Sequence, residues 1–160
     1  MSLARLGRRV GAAALVVALA LFIGGQMGLL SGQRPARLGI VDGQLQPVRT
    51  KLTNAVSSTA TTPYHRIAAL DAEPDPQAAF RRLRAIVGAM PGARIVEEQP
   101  DYLYAEFETR WLKFVDDVEF LLDEPHGAIQ VRSASRLGRR DFGVNRARIE
   151  AIRATLAAAR

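Results

Sequence analysis

Tyr102-Leu103-Tyr104-Ala105-Glu106-Phe107-Glu108-Thr109 is the stretch that decides the fold. Leu103, Ala105 and Phe107 alternate with Tyr104, Glu106 and Glu108, so a strand sends the two sets to opposite faces of a sheet. The alternation predicts one buried face and one wet face. Working outward, Pro100-Asp101 marks a tight turn back to a strand from Arg94 to Glu98. Val115 to Leu122 continues the pattern with Val118, Phe120 and Leu122 inward. Glu124-Pro125-His126-Gly127 reads as a turn, and Ala128 to Ser133 as a fourth strand.

Helical signals flank the strands on both sides. Asp75 can accept the first free N–H groups of a helix, and Pro76 suits its first position. Phe80, Leu83, Val87 and Met90 then share a stripe, and Pro91-Gly92 ends it. A second helix from about Val144 to Ala158 buries Ile149, Ile152 and Leu156. Helix, four strands, helix predicts an α+β fold over residues 54–160. Its expected form is two-layered, with a four-stranded, mostly antiparallel sheet and both helices on one face.

Upstream, Val10 to Gly25 carries no charge, and Gln26 is the sole polar interruption before Leu30. A helix over residues 10–30 is just long enough to cross a bilayer. Arg5, Arg8, Arg9 and the α-amine precede it, whereas only Arg34 and Arg37 closely follow. Residues 1–30 are therefore expected to be a retained single-pass anchor in the inner (cytoplasmic) membrane, with the domain facing the periplasm or outside. A cleaved signal peptide, leaving a secreted domain, is the alternative. Residues 31–53, rich in Gly, Pro and Gln, read as a linker.

At 160 residues and 48% apolar composition, the chain holds one core and is not a disordered tail. The absence of Cys excludes disulfides, thiolate metal sites and a thiol nucleophile. From Glu97 to Glu124 ten acidic side chains stand against Arg110 and Lys113; from Arg132 to Arg160 eight arginines stand against Asp141 and Glu150. Blocks of opposite sign neutralise each other within one fold, which argues against a nucleic-acid partner.

Phe114-Val115-Asp116-Asp117-Val118-Glu119-Phe120, with Arg132-Ser133-Ala134-Ser135-Arg136, Gly138, Asp141, Gly143 and Asn145-Arg146, resembles the domain-of-unknown-function 1499 family. The likeness runs from Asn54 to the C-terminus. An upstream family motif, Asn-Cys-Val-Ser-Ser, matches Asn54, Val56, Ser57 and Ser58 but meets Ala55 where the family usually has Cys. The resemblance implies a small protein, often with an N-terminal membrane segment, and no established activity.

The segment Arg132–Arg146 is the best candidate for chemistry. Arg132, Arg136, Arg139 and Arg140, beside free N–H groups at a helix start, suit a phosphate, sulfate or carboxylate. The competing reading has Ser133, Ser135, Asp141 and Asn145 bracing the loop and the arginines paired to the acidic strands. Asp117 and Glu119 share a strand face, where Arg132 on the neighbouring strand is expected to pair with Asp117. Arg136 is expected to be exposed. Ser57 or Ser58 with His65 lacks the setting of a serine nucleophile. The expectation is a non-catalytic domain that binds a protein partner or a small polar or anionic ligand. Its candidate residues are Asp117, Arg132, Ser133, Ser135, Arg136, Asp141, Asn145 and Arg146, with no catalytic residue, cofactor or metal. A hydrolase or transferase working through Asp117, Glu119 and the arginine loop is the rival, and a purely structural envelope component a third reading.

Overall fold

The computed structural model describes residues 3–159; Met1, Ser2 and Arg160, which belong to the expected N-terminal flank and the end of the domain, lie outside the described residues. Helix α1 (Leu3–Gln26) is followed by a small hairpin, β1 (Ile40–Val41) and β2 (Gln44–Leu45), and by β3 (Ala55–Ser57) and β4 (Leu70–Asp71). Then come α2 (Pro76–Ala89), β5 (Ala93–Glu98), β6 (Tyr102–Glu108), β7 (Val115–Asp123), β8 (Ala128–Ser135) and α3 (Val144–Ala158). The fold is α+β.

The main sheet has six strands, not the expected four, and its ladders are antiparallel. Its order is β3-β8-β7-β6-β5, with β4 also pairing to β8. The two additional strands are three and two residues long, too short for alternation to announce them. They share one edge of β8: Ser57 lies opposite Arg132, and Leu70 opposite Ile129.

Helices α2 and α3 cover one face. The Asp75 carboxylate accepts from the Ala78 N–H at 2.8 Å, and Pro76 opens α2. Phe80, Leu83 and Val87 of α2, and Ile149, Ile152 and Leu156 of α3, pack on Leu103, Val118, Phe120, Ile129 and Val131. This is the main core, and Leu70, Leu83, Leu103, Phe120, Ile129, Ile149 and Ile152 in it are fully buried.

The opposite face, predicted to be wet, is buried at Tyr104 and Glu106, and stays exposed at Glu108. Tyr104 is 2% exposed and Glu119 is 0% exposed. The segment read as a linker lies across it: Leu45 and Val48 are buried, and Leu45 packs with Tyr102, Tyr104 and Leu121. Tyrosine carries a large apolar ring under its hydroxyl, so a face alternating Tyr with acids still has surface worth covering. Residues 33–49 form a strap over a polar layer.

Helix α1 is long and apolar enough to cross a membrane, and its apolar side chains are exposed. Its C-terminal end meets the domain at the loop joining β6 to β7.

Candidate functional site

The register of the sheet creates the site. Glu106 on β6 lies directly opposite Asp117 on β7, and Glu119 opposite Arg132 on β8. Two acids in direct opposition repel each other. Arg136, one residue beyond β8, reaches back between them: its Nη2 is 2.6 Å from Glu106 Oε1 and 2.7 Å from Asp117 Oδ1, and its Nε is 3.1 Å from Asp117 Oδ2. The Tyr104 hydroxyl donates to Asp117 at 2.6 Å. The Arg136 side chain is 7% exposed, so the expectation of an exposed loop arginine is corrected. The expected pair of Asp117 with Arg132 is corrected too. Arg132 takes Glu119, at 2.6 Å, because they face each other in the ladder, and Asp117 falls to Arg136.

The strap completes this layer. Arg34 and Arg94 donate to Glu106, the Gly39 N–H donates to Glu119 at 2.6 Å, and the Tyr102 hydroxyl donates to Glu119 at 2.9 Å. Burial pushes the Glu106 carboxyl up, but hydrogen bonds from Arg34, Arg136 and Arg94 outweigh it and hold the pKa at about 2. Burial and the neighbouring Glu119 raise the Tyr102 phenol, and burial with the bond to Asp117 raises that of Tyr104. Arg136 loses hydration, yet its bonds to Asp117 and Glu106 raise its pKa further. Both tyrosines and the guanidinium therefore keep their protons.

A pH dependence follows with a definite sign. The folded pKa of Glu106 lies below its ordinary 4.5, so its contribution is present above about pH 4.5 and is lost as pH falls towards about 2. Urea midpoints measured down that range should fall, and Glu106→Gln should flatten the decline. A wild-type decline unaltered by the substitution would remove Glu106 from the account.

The other face of the same β8 segment holds a second polar cluster. Ser133 and Ser135 point away from Arg132 and Arg136 and meet Asn145, which is fully buried at the start of α3. Asn145 Nδ2 donates to the Asn54 carbonyl at 3.1 Å, to Ser135 Oγ at 2.9 Å and to Asp141 Oδ2 at 2.9 Å; its Oδ1 accepts from Ser133 and Arg148. Arg148 also binds Asp116, on the inner side of β7, at 2.6 Å. The Arg-Ser-Ala-Ser-Arg stretch is thus a two-sided zipper, with arginines to the acids and serines to Asn145.

The helix start is already occupied. Asp141 accepts from the N–H groups of Gly143 and Asn145 through its carboxylate and of Val144 through its carbonyl. Arg146 donates to the Tyr64 and Arg66 carbonyls and tethers that loop. His65 is buried between Thr62 and the Leu52 carbonyl; that carbonyl can only accept, so Nε2 carries the proton. The Ser57 hydroxyl hydrogen-bonds Thr59, while its N–H donates to the His65 carbonyl, so the His65 ring is turned to Thr62 and Leu52 instead.

A cavity of about 490 Å³ lies between the strap and the sheet, lined by Arg37, Arg49, Asn54, Ala55, Asp117, Arg132, Ser135 and Arg136 among others. It collects Asp117, Arg132, Ser135 and Arg136 of the candidate residues; Ser133, Asp141, Asn145 and Arg146 lie outside its lining. Arg37 and Arg49 escaped the sequence reading because they sit in the segment read as a linker. Asn54 and Ala55 stood in the matched motif, yet nothing in their spacing pointed to a cavity. Four arginines line it against one carboxylate, and the Arg132 Nε is buried without a hydrogen-bond partner.

A family model described as Protein of unknown function (DUF1499) matches residues 47–156. No curated protein and no solved structure matches the chain.

Proposed function

The chain belongs to the DUF1499 family of proteins of unknown function, and from that premise we propose that it is a membrane-anchored domain that holds a small anionic ligand in the strap cavity without transforming it. The observation that carries this reading is the lining: Arg37, Arg49, Arg132 and Arg136 face a single carboxylate, Asp117, which Arg136 already engages. An anion with two or more oxygens can accept from the free Arg132 Nε and from the two outer arginines. A general acid or base has no support here, because Glu106, Asp117 and Glu119 are each held by arginine.

Arg5, Arg8 and Arg9 at the N-terminal end of α1, with Arg34 after it engaged by Glu106, support an orientation that leaves the domain outside the cytoplasm. The inner membrane and a periplasmic face are part of this proposal. Secretion after cleavage of α1 is the variant that mass analysis of the mature N-terminus distinguishes.

Ligand binding to the folded state raises the melting temperature with concentration. Phosphate, sulfate and citrate, titrated at constant ionic strength against the full chain in detergent, should include at least one that raises it saturably. Arg37→Gln with Arg49→Gln should weaken that response about tenfold or more while leaving the unliganded melting temperature nearly unchanged, since both arginines are exposed. No saturable shift with any of the three, or an equal shift in the double variant, would overturn the reading.

A further inference from the structure

The ends of β6 and β8 and the beginning of β7 lie together, so the loops 109–114 and 136–143 emerge from the same end of the sheet. Helix α1 arrives at that end as well. Gln26 Nε2 donates to the Trp111 carbonyl at 3.0 Å, and a Cβ on Gly25 would lie 2.7 Å from the Leu112 carbonyl oxygen. Only glycine allows that approach. The uncharged part of the helix, from Val10 to Gln26, is about 25 Å long at about 1.5 Å per residue, against a hydrocarbon core of about 30 Å, so its C-terminal end lies within about one turn of the bilayer surface.

This end of the sheet carries exposed apolar side chains. Trp111 is 62% exposed and Phe142 is 92% exposed, with Phe114 and Leu137 beside them less so. Phe142 is held outward at φ +54, a backbone conformation that costs an L residue energy. Arg110 stacks on the Trp111 ring at 4.8 Å, and Arg139 and Arg140 are exposed in the second loop. Asp141 is the sole acid in these loops, and its carboxylate is turned to the start of α3. Aromatic rings with arginines around them suit the headgroup layer of a bilayer with anionic lipid.

We infer that this end of the domain docks on the membrane that holds α1, with Trp111, Phe114 and Phe142 inserted at headgroup depth and Arg110, Arg139 and Arg140 on anionic lipid. The inference rests on α1 being the anchor. Continuity with the anchor and complementarity of charge select a lipid surface over a second protein.

Trp111 is the chain's single tryptophan and reports on its own position. The test uses the full chain reconstituted into phosphatidylcholine vesicles with and without phosphatidylglycerol. Some vesicles carry lipid brominated near the top of its acyl chains, and acrylamide is the quencher in the water. Brominated lipid should lower Trp111 emission by about half or more, and acrylamide should quench it little, as for a residue at interfacial depth. Quenching by brominated lipid should be stronger with phosphatidylglycerol, and Arg139→Glu with Arg140→Glu should remove that difference. Phe142→Ser should reduce the lipid quenching with its thermal midpoint unchanged. Chains that float with the vesicles while Trp111 stays open to acrylamide would overturn the docking and leave the anchor intact. Failure to float would overturn both. Shielding from both quenchers, with crosslinked dimers, would assign the face to a second copy.

Discussion

Arg136→Met is expected to cost the folded domain about 3–5 kcal/mol, because it leaves Glu106 and Asp117 buried, opposed and without the cation between them. Methionine keeps most of the volume, so the loss reports charge more than packing. In a domain of this size that should lower the melting temperature by roughly 10–20 °C. Two further measurements identify the cause. Adding Asp117→Asn to Arg136→Met should restore a large part of the urea midpoint, since one of the opposed charges is gone. Lowering the pH should also narrow the gap between Arg136→Met and wild type, because protonating Glu106 removes one of the two opposed charges. A midpoint within about 0.5 kcal/mol of wild type would show that the strap arginine Arg34, with Arg94, suffices to hold both acids.

Asn145→Ala carries the second large effect, of about 3 kcal/mol. Its amide joins the Asn54 carbonyl, Ser135 and Asp141, and its carbonyl takes Ser133 and Arg148. Alanine leaves several of these buried groups without a partner, and each such group costs about 1–3 kcal/mol unless water or a neighbour replaces it. Arg148 retains Asp116, so the helix stays attached and the damage should centre on β3. Hydrogen exchange measured at 55–58 should accelerate in Asn145→Ala more than exchange in β6. Uniform acceleration, or none, would contradict the placement of Asn145 as the joint between β3 and α3.

Much of this was legible in the residues, and the limits have physical causes. The strands β5 to β8 and the helices α2 and α3 follow from apolar periods of two and near four, which burial against the helices enforces. The opposite charges of the two blocks pointed correctly to mutual neutralisation, as Arg132 with Glu119 and Arg148 with Asp116 show. The pairing of Asp117 did not follow, because an arginine spans several ångströms and Arg136 reaches back beyond its nearest ladder position. The packing of the strap was not legible, because Leu38, Leu45 and Val48 stand among Gly, Pro and Gln with no sustained period to announce their burial. With the strap unrecognised, the cavity had no roof, and Arg37 and Arg49 had no reason to be chosen.

The opposition of Glu106 and Asp117 bears on how the sheet can come apart. Taken alone, the hairpin of β6 and β7 sets those two acids face to face and places Glu119 nearby, with no arginine of its own on that face. It is frustrated as a separate unit, and the cations that relieve it arrive from β5, from β8 and the residue after it, and from the chain ahead of β1. Unzipping β8 therefore does more than free one strand, since it restores repulsion in the pair left behind. Loss of one piece destabilises the next, and the domain gains all-or-none cooperativity from its charges as well as from its core.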